Sequence, residues 1–211
     1  MAETELLKER VMFYVDGFNL YFSLKENRYE RYMWLDLNLL ATSLLTANQK
    51  LVGVKYFTSL ITTNIQKRLR QKTYIDALLT LPNLQIIFGR FNMDINRCGV
   101  CGQDTQTPKE KRTDVAIASH MLHDAHMNLF DTAVLISGDT DLIPPVTIIR
   151  EHFKNKRVVV AFPPDRQNDT VKEAASAWFV IGRAKFAQSQ FADNVVSERY
   201  EETYVKPATW I

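Results

Sequence analysis

Apolar runs closed by turn or acidic residues alternate along the chain with stretches of helical spacing. Residues 11–15 (Val-Met-Phe-Tyr-Val) form a continuous apolar run ended by Asp16-Gly17. That is the pattern of a strand covered on both faces, and it predicts the central strand of a sheet. A helix over about 19–25 follows, then one opening at Asp36 with Leu37, Leu40, Ala41, Leu44 and Leu45 at helical spacing. Residues 51–59 read as the second strand. Residues 64–81 read as a long helix whose Ile65, Leu69, Tyr74 or Ile75, and Leu78 face inward, and 84–91 as the third strand. Residues 92–111 predict an irregular loop, long enough to carry a function. Val115, Ala118, Met121, Leu122 and Ala125 mark an amphipathic helix from Thr113, and 132–137 the fourth strand. A helix opening at Asp141 tolerates Pro144 and Pro145 in its first turn, where donors are spare. A fifth strand over 157–162, a short helix ending near 174–177 and an extended piece at 178–181 complete the pattern. Strands alternating with helices predict an α/β, three-layer, Rossmann-like fold with a mainly parallel sheet of five or six strands. The boundaries expected are an N-terminal extension at 1–10, one domain over 11–183, and a weakly patterned C-terminal tail at 184–211 that packs on the domain or on a neighbouring subunit.

Composition changes this picture little. The 211 residues are 46% hydrophobic and 24% charged, ordinary globular values that exclude general disorder. A formal net charge of +2 is too mild to announce nucleic acid binding, so the placement of charge must carry that argument. No apolar run approaches the roughly 18 residues that span a bilayer, and the acidic start Met1-Ala2-Glu3-Thr4-Glu5 is unlike a basic signal-peptide head. A cytoplasmic protein without a membrane segment is expected. Two cysteines cannot build a disulfide framework and are expected as thiols or metal ligands.

The chemistry lies in four aspartates at the strand-to-helix handovers: Asp16, Asp114, and the pair Asp139 and Asp141. In an open parallel sheet these handovers face one crevice. Carboxylates gathered there repel one another, each pair by roughly 4 kcal/mol at about 4 Å and an effective dielectric near 20. A divalent cation relieves that repulsion, and an all-oxygen donor set favours Mg2+ or Mn2+. Taken singly, Asp16 before Gly17 also fits turn chemistry, and Asp114 and Asp141 fit helix capping. Asp139, after a strand and a glycine and two residues before another acid, is harder to explain as a cap.

Three segments sharpen the reading. Tyr14-Val15-Asp16-Gly17-Phe18-Asn19-Leu20-Tyr21, Glu110-Lys111-Arg112-Thr113-Asp114-Val115-Ala116-Ile117-Ala118, and Ile136-Ser137-Gly138-Asp139-Thr140-Asp141-Leu142-Ile143-Pro144 closely resemble the three signatures of the NYN family. That family sits in the PIN-like nuclease group and includes the LabA-like bacterial proteins. The resemblance covers roughly residues 11–183 in the right order. It implies a metal-dependent ribonuclease with a PIN-like sheet, in which Asp16, Asp114, Asp139 and Asp141 hold the ions and Asn19 orients water or the substrate phosphate. Relatives often carry a further aspartate where this chain has His120. An imidazole ligates manganese better than magnesium, which leaves ion number and metal preference open.

Lys67, Arg68, Arg70 and Lys72 form a dense basic stretch on the predicted long helix, and Arg90, Arg97, Lys109, Lys111 and Arg112 flank the loop. Either group is a solvated face or a track for RNA phosphates. Lys111 or Arg112 is also placed to stabilise charge on a pentacoordinate phosphorane. Tyr21, Phe22 and Phe91 either stack on bases or belong to the core. Cys98 and Cys101, spaced C-x2-C on a glycine-bearing turn, resemble half of a structural Zn2+ site. The other half would be His123 and His126, or the same cysteine pair from a second subunit in a homodimer. The expected activity is RNA phosphodiester hydrolysis. The alternatives are an RNA-binding or scaffolding module that has lost efficient catalysis, and a metal-dependent phosphatase.

Overall fold

A computed structural model describes residues 8–62, 64–97, 101, 103–197 and 199–210. In chain order its elements are β1 (Glu9–Asp16), α1 (Gly17–Glu26), α2 (Leu37–Ser43), β2 (Gln49–Thr58), α3 (Ile65–Leu78), β3 (Leu84–Phe88), β4 (Arg90–Arg97), β5 (Asp104–Lys111), α4 (Thr113–His126), β6 (Thr132–Ile136), α5 (Ile143–His152), β7 (Arg157–Phe162), α6 (Asp169–Ala174), β8 (Ala177–Val180), α7 (Arg183–Gln188), β9 (Asn194–Ser197) and β10 (Glu202–Val205). The main sheet has six strands in the order β3-β2-β1-β6-β7-β8, all parallel. Numbered within the sheet this is 3-2-1-4-5-6, a Rossmann-like order whose direction of winding reverses between β1 and β6.

The continuous apolar run of β1 is explained by its two neighbours above and below. Val11, Phe13 and Val15 enter one core with Leu20 and Leu24 of α1, Leu37 and Leu40 of α2, and Tyr74 and Leu78 of α3. Met12 and Tyr14 point the other way, into a second core with Ile117 and Met121 of α4, Val146 and Ile149 of α5, and Val171 of α6. Alternate residues of one strand therefore serve two helix layers. The tail packs on the first of these cores: Phe186 is fully buried, Trp34 donates its indole N–H to the Ala192 carbonyl at 2.8 Å, and Trp210 lies 6.2 Å from Trp34, ring centre to ring centre.

Several expectations are corrected. Residues 92–111 are not an irregular loop, because β4 and β5 pair as an antiparallel hairpin from Arg90↔Lys111 to Arg97↔Asp104. The period-two spacing of Phe91, Met93 and Ile95 is the signal for a strand there. Ile65 and Leu69 stand out in solvent, and burial in α3 begins at Tyr74; Val115 is exposed too, the inward face of α4 being that of Thr113, Ile117 and Met121. No helix among the described residues is long and apolar enough to cross a membrane.

Candidate metal centre

Asp16 ends β1, Asp139 follows β6, and these are the two strands that flank the reversal of winding. Asp114 arrives from the first turn of α4, which the β4–β5 hairpin returns to the same rim. The three carboxylates each present an oxygen within 4.8 Å of the others, the donor spacing of a metal site. Two of them are caps as well. Asp16 Oδ1 accepts the Asn19 N–H at 3.0 Å to start α1, and Asp139 Oδ1 accepts the Asp141 N–H at 2.9 Å to start the 3-10 turn Thr140–Leu142. Capping fixes where these carboxylates point, so the turns and the carboxylate group share the same side chains.

Hydrogen bonds lock the rest of the rim. Ser137 Oγ donates to Asp16 Oδ2 at 3.0 Å and accepts the Asp139 N–H at 3.1 Å, and Asn19 Oδ1 accepts the Gly138 N–H at 3.1 Å. Burial pushes the Asp16 carboxyl up to about 6; the hydrogen bonds from Asn19 and Ser137 oppose the rise, and the charges of Asp114 and Asp139 add to it. Glycine is required at both turns. A Cβ on Gly17 would lie 2.6 Å from the Phe57 carbonyl oxygen, and one on Gly138 only 1.9 Å from the Arg166 carbonyl oxygen. Gly138→Ala should therefore displace the 163–166 loop and destabilise the protein by roughly 1–3 kcal/mol, the usual scale of overpacking. Thermal unfolding checks this; an unchanged melt would mean the loop moves freely.

The carboxylates open into a recess of about 320 Å3 lined also by Phe18, Asn19, Phe22, Glu26 and Arg166. Arg166 was not anticipated. It pairs with Glu26 at 2.6 Å, while its Nε is buried with no hydrogen-bond partner among the described residues. The loop that carries it is tied to α1, because Ser23 Oγ donates to the Pro164 carbonyl at 2.5 Å. Its position just past the C-terminal end of β7, a usual place for ligand groups in such sheets, was the available signal.

Other expected residues lie elsewhere. Asp141 is exposed and outside the carboxylate group. His120 is outside it too: six residues past Asp114 is about 9 Å along the helix and about 120° around it. Its Nδ1 sits 3.2 Å from Lys55 Nζ, on the second core's side, and its ring meets Phe57 edge-on. Lys111 and Arg112 are exposed and do not line the recess; Arg112 is the N-cap of α4 in the left-handed region at φ 81°. Of the α3 cations, Lys72 is neutralised by Asp76 at 2.6 Å and Arg68 is exposed, whereas Lys67 and Arg70 line a second cavity. Cys98 lies outside the described residues; Cys101 is an exposed free thiol, and His123 leans on Asp124 at 3.3 Å. The Phe91 side chain is likewise outside the described ones. Phe22 is not core but 43% exposed.

A six-stranded 3-2-1-4-5-6 sheet with three carboxylates at its switch point defines an α/β protein of PIN-like architecture with an acidic, cation-ready site. A family model for the NYN domain matches residues 10–182, and the chain belongs to that family, part of the PIN-like nucleases. The 6-hydroxy-3-succinoylpyridine 3-monooxygenase HspA of Pseudomonas putida is 27% identical over 249 aligned positions, covering 99% of this chain and 77% of its own length. A protein of unknown function from Vibrio parahaemolyticus, known from a crystal structure, is similar in fold, with TM-score 0.56 and 19% identity over 87% of this chain and 98% of that one.

Proposed function

We propose that the chain is a divalent-metal-dependent endoribonuclease. The observation that carries this is the convergence of Asp16, Asp114 and Asp139, from three separate elements, to within 4.8 Å. Three hard carboxylate oxygens suit Mg2+ or Mn2+, and a cation would offset both the burial that raises the Asp16 carboxyl and the smaller repulsion from Asp114 and Asp139. Such an ion, when bound, neutralises phosphate charge and lowers the pKa of water at the scissile phosphorus. The chain's own residues do the positioning. Asp16, held by Asn19 and Ser137, and Asp139, held through its own cap, keep their ligand geometry without the ion. Asn19, its carbonyl oxygen taken by Gly138, has its NH2 group to offer a phosphate oxygen. Arg166 is the cation in the recess that would bind the substrate phosphate, in the role expected of Lys111 or Arg112.

The test is cleavage of end-labelled single-stranded RNA in Mn2+ or Mg2+. Asp114→Asn and Asp139→Asn should each lose activity by about a hundredfold or more, the scale on which removing one charge-stabilising group acts. Products should carry 5' phosphates. Arg166→Ala should weaken cleavage without changing which metal supports it. Equal cutting by wild type and both Asp variants would overturn the proposal. Binding without cutting would favour an RNA-binding module, and phosphate release from small esters without scission a phosphatase.

An apolar cavity beside the carboxylates supports a second reading, hydroxylation of a heteroaromatic ring as in the name of the Pseudomonas relative. Inserting one oxygen atom of O2 requires two electrons to reduce the other to water, so an external reductant is needed. The donor set ranks this reading second, because oxygenase iron sites commonly combine two His with one carboxylate and this site holds three Asp. Ring-dependent O2 uptake with 6-hydroxy-3-succinoylpyridine, Fe2+ and a reduced nicotinamide would reverse that order.

A further inference from the structure

The second cavity lies on the other side of a ridge formed by Phe18 and Phe22, which line both it and the carboxylate recess. Their rings sit one turn apart on α1, stacked at 6.2 Å. The cavity measures about 130 Å3 and its walls are mostly apolar, with rings from Tyr21, Tyr56 and Trp210. An apolar cavity of about 150 Å3 holds a benzene-sized molecule, so one six-membered ring is the size that fits. Two polar side chains of the wall are committed elsewhere. Gln71 bonds Ser59 O at 2.9 Å and the Ile61 N–H at 2.8 Å, and the Tyr74 hydroxyl donates to Leu35 O at 3.0 Å. Shape and stacking, not hydrogen-bond readout, are therefore what this cavity offers. Lys67 and Arg70 also line it, and no carboxylate pairs with either side chain among the described residues.

We propose that this cavity is a subsite for a single pyrimidine ring of an RNA strand, whose following phosphate crosses the Phe18/Phe22 ridge to the carboxylates while a neighbouring phosphate rests on Lys67 and Arg70. Pyrimidine is favoured over purine by volume, and uracil and cytosine are accepted alike because the mostly apolar walls stack on the ring while Lys67 and Arg70 are engaged by phosphate. The proposal rests on the strand reading of the carboxylate site, so it is tested by binding, not by cleavage.

Fluorescein-labelled octamers of uridine, cytidine, adenosine and abasic ribose phosphate are titrated against the full chain by anisotropy, in calcium and at several salt concentrations. Uridine and cytidine octamers should bind alike, and the other two roughly tenfold more weakly, the scale of base–aromatic stacking. Phe22→Ala and the cavity-filling Ile61→Trp should erase the pyrimidine preference. Arg70→Gln should weaken all four and flatten the salt dependence. Equal binding of the uridine and abasic octamers, or a preference surviving in Ile61→Trp, would overturn the subsite. So would tight binding of a free heteroaromatic carboxylate with no binding of the octamers. Pyrimidine-selective binding with no cleavage in any metal would leave the subsite standing and sink the hydrolase reading; cleavage with no base preference would do the reverse.

Discussion

Asp16→Asn should make the metal-free protein more stable at neutral pH while abolishing metal-dependent cleavage. The carboxyl titrates near 6 in the folded chain, against an ordinary value near 3.8. Below the ordinary value it is protonated in both states and contributes nothing to pH dependence. Between the two values only the unfolded chain ionises, so stability falls as pH rises through this window. Above about 6 the folded protein carries the buried charge at a cost of about 3 kcal/mol relative to a neutral side chain. At this chain length each kcal/mol moves the melting temperature by roughly 2–4 °C. Melts in EDTA should therefore show the variant several degrees above wild type at pH 7 and level with it near pH 4. Adding Mn2+ should raise wild type and leave the variant unmoved, because only a folded state that binds the ion gains from it. A variant that melts below wild type at pH 7 would mean that Asp16 acts mainly as a cap.

Asp124→Ala should cost about 3–5 kcal/mol, the penalty for stranding a buried charge. Asp124 is fully buried on α4, 2.5 Å from Lys55 of β2 and accepting the Tyr14 hydroxyl at 2.7 Å. Although burial works against ionisation, the hydrogen bonds from Lys55, Tyr14 and His123 hold this carboxyl below the ordinary carboxylate range. Its contribution is thus present at neutral pH and is lost on acidification, opposite in sign to that of Asp16. Replacing the pair together, Lys55→Met with Asp124→Leu, should recover most of the loss. Denaturant unfolding of Lys55→Met, Asp124→Leu and the double closes the cycle. If both single changes cost under about 1 kcal/mol, the pair would be no more than a surface-type ion pair.

These two aspartates mark where sequence reading works and where it stops. The strand β7 falls at the expected residues, and the buried run of β1 announces its central place, because apolar periodicity reports burial directly. Asp16 and Asp139 were legible because strand ends in a parallel sheet share one rim, whereas Asp114 reaches it from α4 after the separate β4–β5 hairpin. Asp124 was not: one acid inside an amphipathic helix reads as a solvated residue until Lys55, 69 positions away, is seen to meet it. Arg166 was missed for the same reason, since its partners Glu26 and the Gly138 turn are joined to it only by the fold. His120 misled in the opposite way, because alignment with a family position says nothing about which side of a helix faces the carboxylates. Ile65 and Leu69 have helical spacing, yet both are exposed and burial of α3 begins only at Tyr74.

Trp210 closes one wall of the apolar cavity and meets Tyr74 at 5.8 Å, while Asp16, Asp114 and Asp139 are all in place much earlier in the chain. During synthesis, which proceeds and folds from the N-terminus, the acidic rim can assemble before the ribosome has made the residue that completes its neighbour. A nascent chain of this protein would therefore be able to close the carboxylate rim before it completes the wall of the apolar cavity.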